Sequence, residues 1–395
     1  MDVRYPTTTP LGGVQIVDFT SYLTGPWATC LLADQGARVI KVEPVGVGDT
    51  LRYMGTSRAG MSAVFAVANR NKRGIALDLK SPRGAEIARR LVSRADVVAE
   101  NFRPGVAAKL GLDYAACHAL KPDVIHLSIS GYGDKGPYSQ LPTFDSVIQA
   151  HSGMCYGQGN DASPEYVRQA ICDKVTALYA AQGITAALFA RARGAGGRQL
   201  QLSMFDSALA FHWPDGMNEF TFLDGEVDAA APIGSLYRIQ PTADGHIAVS
   251  PITNDQFKGY CRALGRPELA DDPRLASLEG RVRNSALLRE LRGALEAEST
   301  TTWCRRFLAE DVPHGPMLKR EEVLNDAQVR HACVVEFGAP GGRTRVAVSP
   351  CLFDEDRCGE PTAAPTLGEH SRAILEELGF GNDEISTCLR TGAVQ

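Results

Sequence analysis

The first half of the chain repeats one pattern: a short apolar strand segment, a loop, a helical segment, and another apolar strand segment. Residues 14–19 (VQIVDF) read as a strand, Pro26 fits the first turn of a helix through Leu32, and Gly36 fits its C-terminal cap. Residues 38–43, 74–79, 95–100 and 123–129 continue the strand series, and Ser81-Pro82 opens a helix running to about Ser93. Units of ~30 residues built this way pair as parallel strands covered on both faces. The expected fold is therefore α/β, with a doubly wound parallel-sheet large domain. Ligands of such sheets bind where loops leave the carboxyl ends of the strands, which singles out residues 20–26, 44–52, 101–105 and 130–137.

A longer helix is expected from Asp173 to about Arg193, ending at Gly194-Ala195-Gly196-Gly197, with a further strand over residues 198–204. The alternation then loosens. Residues 225–325 mix short strands (236–239, 246–249) with capped helices (254–264, 284–296), which suits a smaller α+β domain. A chain of 395 residues exceeds what one core usually serves, so the layout expected is a large domain over 1–224, a small domain over 225–325, and a return of 326–395 to the first as helices and turns.

Composition narrows the function. A net charge of −5 and a pI near 6.0 argue against a general nucleic-acid binder, which carries a basic face. No stretch approaches the ~20 apolar residues of a membrane span, and the start has no apolar signal segment, so a cytoplasmic protein is expected. Ten cysteines show neither Cys-x-x-Cys nor paired His spacing, which reads as free thiols and no metal. The loop after the first strand, Thr20-Ser21-Tyr22-Leu23-Thr24-Gly25-Pro26, lacks the glycine pattern that would hold a dinucleotide, so NAD is not expected.

Basic residues gather on separate loops: Arg70, Lys72 and Arg73, then Lys80, then Arg103 and Lys109. They are either a solvated rim or donors to phosphate groups, with Tyr22 and Phe102 available to stack on a base. Asp173 also has two readings. At the front of the apolar run 175–181 its carboxylate can cap a helix, or it can use that fixed position as a nucleophile. Cys172 beside it has no partner histidine identifiable in the sequence.

The run Ala99-Glu100-Asn101-Phe102-Arg103-Pro104-Gly105-Val106, followed by Leu110-Gly111-Leu112 and by Ser128-Ile129-Ser130-Gly131-Tyr132-Gly133-Asp134-Lys135-Gly136-Pro137-Tyr138, resembles the family III CoA-transferases of the formyl-CoA transferase and carnitine CoA-transferase type. Gly25-Pro26, residues 39–44, Asn71-Lys72-Arg73, residues 191–199, Ala243-Asp244-Gly245 and Leu367-Gly368-Glu369-His370 are similar to that family in the same order. The resemblance implies a coenzyme A pocket at Leu77, Lys80, Asn101, Phe102 and Leu110, with Arg103 and Lys109 for the phosphates, and Tyr22 is expected to join it as the stacking ring. It places Asp173 on the family's catalytic aspartate and Phe144 and Asp145 on the substrate side. It further implies an interlaced homodimer, while charge, hydropathy and cysteine spacing lead to the expectation of no metal and no nucleic-acid or membrane partner.

The related α-methylacyl-CoA racemases share the fold but use a His and Asp pair, and their His falls on Phe144, which carries no proton. His151 is the one histidine left that would rescue a racemase, and a catalytically silent CoA-binding subunit is a further alternative. Two departures from formyl-CoA transferase stand out. Its glycine-rich loop has no counterpart in residues 231–236, and its first-loop His and Gln correspond to Ser21 and Leu23. The resemblance thus implies CoA transfer to a carboxylic acid, expected to be a small dicarboxylate, through an Asp-bound anhydride and an aspartyl-CoA thioester.

Overall fold

The computed structural model describes residues 9–226, 234 and 237–395. The chain divides into two compact units. One runs to Pro214 and resumes over His331–Gln395; the other is Asp215–Arg330.

Six parallel strands form the centre of the first unit: β1 (Gln15–Asp18), β2 (Arg38–Glu43), β3 (Lys72–Ala76), β4 (Val97–Glu100), β5 (Ile125–Ser130) and β6 (Arg198–Ser203). Their spatial order is β3-β2-β1-β4-β5-β6, with Val17 opposite both Ile40 and Val98. The chain builds outward from β1 to β3, then crosses to the other side of β1 to start β4. That reversal opens a crevice at the carboxyl ends of β1 and β4.

Alternate strand residues feed two cores. Ile16, Val39, Val97, Ala99, Ile125 and Leu127 pack with α1 (Thr24–Ala33) and a long helix over Ile171–Ala190. Val17, Ile40, Val42, Ile75 and Val98 face the other way onto α2 (Pro82–Val92) and the helices Ser371–Glu377 and Asn382–Arg390. Buried on both faces, these strands carry apolar residues at successive positions, as parallel strands do. Ser81 caps α2 by accepting from the Gly84 N–H at 3.0 Å, with Pro82 at the first helical position. Gly25 lets α1 start against β1, because a Cβ there would stand 2.3 Å from the Thr20 Cβ.

The second unit is built on a three-stranded antiparallel sheet, His314–Pro316, His246–Val249 and Gln240–Pro241, covered by the helices Asn254–Ala263 and Thr300–Ala309. Ile247, Phe257, Trp303 and Phe307 fill its core. The strand expected over 236–239 begins outside the described residues, and 237–239 form no strand; pairing starts at Gln240. Residues 326–395 also differ from the expected helices and turns, because Val334–Ala339 and Gly342–Ala347 pair as an antiparallel hairpin. Charged residues mask its period: Glu336 bridges Arg343 at 2.8 Å across the ladder. Among the described residues no helix is long and apolar enough to cross a membrane, and no group of His, Cys, Asp or Glu is placed to hold a metal ion.

Candidate active site

Asp173 lies in the first turn of α4 (Ile171–Ala190), two residues inside its start, and one of its oxygens, Oδ1, accepts a hydrogen bond from the Thr24 hydroxyl on the first residue of α1. The helix-cap reading of Asp173 does not survive, because no backbone N–H of the helix reaches its side chain. Asp145, at the start of α3 (Asp145–His151), does that work instead: its carboxylate accepts from the Cys172 N–H at 3.2 Å and from Gln149 Nε2 at 3.3 Å. Gln149 in turn holds the approach to the helix through the carbonyls of Val167 and Gln169, at 3.2 and 3.1 Å.

Burial lifts the Asp173 carboxyl to about 6; the neighbouring Asp145 charge adds to the rise and the Thr24 hydroxyl opposes it. An acid perturbed by desolvation and a charged neighbour is a candidate for chemistry. Cys172 is not a competing nucleophile. It is wholly buried, and burial pushes its thiol up to about 12.

A cavity of about 420 Å³ opens at the carboxyl ends of β1, β2, β3 and β4, lined by Leu77, Lys80, Phe102 and Leu110 together with Pro44 and Asp49. Four of the expected CoA positions therefore share one space. Asn101 does not line it. Its amide accepts from the Ser21 N–H and donates to the Ser21 carbonyl, both at 2.8 Å, and so pins the first loop to the end of β4. Tyr22 sits in the left-handed region (φ 63°), its N–H on Asp49 Oδ1 at 3.0 Å and its ring edge-on to Phe144 at 5.4 Å. Phe102 also lines a second cavity of about 290 Å³, which holds Arg103. Lys109 lines neither; it lies in the last turn of the short helix Val106–Leu110.

The Arg70, Lys72 and Arg73 cluster is neither a solvated rim nor a phosphate site. Arg70 Nε meets Asp34 at 3.0 Å, Lys72 is fully buried against Asp18 at 2.9 Å, and Arg73 pairs with Glu377 at 2.8 Å. Burial alone would raise the Asp18 carboxyl, but Lys72 and Lys41 hold it well below the usual range. Lys41 also reaches Asp49 at 3.2 Å and donates to the Thr20 carbonyl, so a buried ionic group under the cavity floor fixes the loop that carries Tyr22 and Thr24. Thr24, Asp18 and Asp49 were invisible to motif reasoning; the one available signal was an aspartate ending an otherwise apolar strand. His151 packs edge-on to Tyr132 and Tyr138 and tilted against Phe205, its Nδ1 3.1 Å from the Tyr132 hydroxyl.

The model of CoA-transferase family III matches residues 11–371. Succinyl-CoA:glutarate CoA-transferase of Mus musculus is 34% identical over 98% of this chain and 90% of its own length. Acetyl-CoA:oxalate CoA-transferase of Acetobacter aceti is 33% identical over 93% and 96%. Among solved structures, a CAIB/BAIF family protein from Brucella suis superposes with a TM-score of 0.81 at 32% identity, covering 94% of this chain and 99% of its own. Likeness of this extent reaches both units and the crevice between β1 and β4, and on it the chain belongs to CoA-transferase family III.

Proposed function

We propose that this CoA-transferase moves coenzyme A from an acyl-CoA to a small dicarboxylic acid, with Asp173 as the nucleophile. The observation that carries the reading is the half-buried Asp173 carboxyl, raised to about 6 at the head of a helix and hydrogen-bonded to Thr24, which shares its loop with the cavity-lining residues Thr20 and Ser21; Asp173 itself does not line that cavity. The carboxylate attacks the thioester carbonyl and expels the CoA thiolate, giving a mixed anhydride. The thiolate then attacks the aspartyl carbonyl and releases the donor acid, leaving an aspartyl-CoA thioester. The acceptor acid reverses both steps.

Coenzyme A enters as substrate. Leu77, Lys80, Phe102 and Leu110 hold it; Tyr22 stacks beside them, Asn101 fixes the loop, and Arg103 and Lys109 meet its phosphates from outside the main cavity. Phe144 and Asp145 border the acyl side. A dicarboxylate acceptor is supported by the relatives, whose names give glutarate, oxalate and, in Chloroflexus aurantiacus, D-citramalate as acids. The pair formyl-CoA and oxalate fits less well, since Ser21 and Leu23 replace the expected His and Gln; the contrast at residues 231–236 falls, Gly234 apart, outside the described residues. The functional assembly is an interlaced homodimer.

Incubation with acyl-CoA, quenching with hydroxylamine or borohydride and peptide mass analysis tests the mechanism: modification at Asp173 is expected. Deuterium wash-in at the α-carbon without modification would establish the racemase, and binding without either reaction a silent subunit. A substrate panel turning over only monocarboxylates would sink the dicarboxylate assignment, and a monomer by light scattering the dimer.

A further inference from the structure

The carboxylate of Asp173 is held asymmetrically. Oδ1 accepts from Thr24 Oγ1, and among the described residues no donor reaches Oδ2. Thr24 is 4% exposed, so its hydroxyl is shielded from water. It is fixed by main chain, at the first residue of α1, beside the close approach of Gly25 to Thr20. The Thr20 carbonyl is itself gripped by buried Lys41. A donor that immobile does not reorganise when charge changes at its acceptor.

Oxygen Oδ2 has its lone pairs available to attack the thioester. Once it is acylated, Oδ1 is the carbonyl oxygen of Asp173. When the CoA thiolate adds to that carbonyl, a C–S bond forms and the electron pair of the C=O bond moves onto Oδ1, where the Thr24 O–H already points. Collapse restores the carbonyl, breaks the bond to Oδ2 and releases the donor acid as its carboxylate. We propose that the Thr24 hydroxyl is the oxyanion donor for acylated Asp173, a catalytic role that rests on Asp173 being the nucleophile. The same hydrogen bond serves the reverse addition, when the acceptor acid attacks the aspartyl thioester.

The test uses the full chain at pH 8, above the titration of Asp173, so that lost ionisation is not mistaken for lost transition-state stabilisation. Thr24→Val keeps the shape and removes the donor; Thr24→Ala removes both; Thr24→Ser keeps the donor. The expected result is a kcat lowered about 100- to 1,000-fold in the Val and Ala variants, the range for loss of one oxyanion donor. Their KM for acyl-CoA stays within about two-fold, and Ser recovers most of kcat. Wild-type kcat in either variant lacking the hydroxyl would overturn the proposal, and so would a loss that Ser shares. Asp173→Asn run beside them separates the two levels: full activity there removes the nucleophile assignment itself, whereas an inactive Asn variant with an indifferent Thr24 removes only the oxyanion role.

Discussion

A carboxylic acid that attacks a thioester must be ionised yet poorly solvated, and in the role proposed for it Asp173 would meet both demands only above about pH 6. The acid limb of kcat/KM is therefore expected near pH 6, where an ordinary aspartate would place it near 4. A limb near 4 would contradict this. The same burial has a stability cost with a definite sign. The folded pKa lies above the unfolded one, so the folded state binds the proton more tightly between about 4 and 6, and stability falls as pH rises through that window. Asp173→Asn removes the charge and is expected to stabilise the chain by about 1–3 kcal/mol at pH 7.5, with the gain fading towards pH 4, measured by denaturant unfolding. Asp173 stood out in the sequence by its place before an apolar run. Thr24 did not, because a threonine before Gly-Pro carries no pattern and its partner lies 149 residues away.

At the scale of elements, the head of α4 is organised by α3. The period of apolar residues located the long helix, but its start was read two residues late because Asp173 resembles a cap; the cap is Asp145, 27 residues before Cys172. Asp145→Ala is expected to cost about 1–2 kcal/mol of stability, the usual loss for a helix cap. Asp145→Asn keeps an acceptor for the Cys172 N–H but removes the like charge that raises Asp173, so the acid limb of its kcat/KM moves to lower pH than in the wild type. An unmoved limb would show that Asp145 acts through geometry alone. The basic segment 70–73 was misread for a related reason: composition shows cations, whereas their acidic partners, Asp34, Asp18 and Glu377, are distant in sequence and fix the cations as internal bridges. Lys72→Met is expected to destabilise by about 3–5 kcal/mol, because it leaves Asp18 buried and short of a charge, and Asp18→Asn in the same chain should recover part of that loss. Additive losses in the double variant would contradict the pairing.

Across the whole first unit, the parallel sheet followed from alternation and the carboxyl-end loops pointed to the cavity, but the strand order and what braces that cavity did not. Residues 393–395 run beside β3 and the loops on either side of it. Val394 is 1% exposed and bridges Leu77, the Ala393 carbonyl accepts from the Asp78 N–H at 3.0 Å, and Gln395 Oε1 accepts from the Gly46 N–H at 2.7 Å. Leu77 and Lys80 line the cavity on one side of these contacts, and Pro44 and Gly48 on the other. No local pattern announces such a clasp, since Gly46, Leu77 and Asp78 are all more than 300 residues away along the chain. Because the clasp touches the lining and not Asp173, weakening it should change binding and leave chemistry alone. Val394→Ala combined with Gln395→Ala is expected to cost about 1–3 kcal/mol of stability from the small cavity left behind and to raise KM for acyl-CoA several-fold, with kcat nearly unchanged. If kcat fell while KM held, residues 393–395 would be acting on the head of α4, and the cavity over β1 to β4 would lose its place as the coenzyme A site.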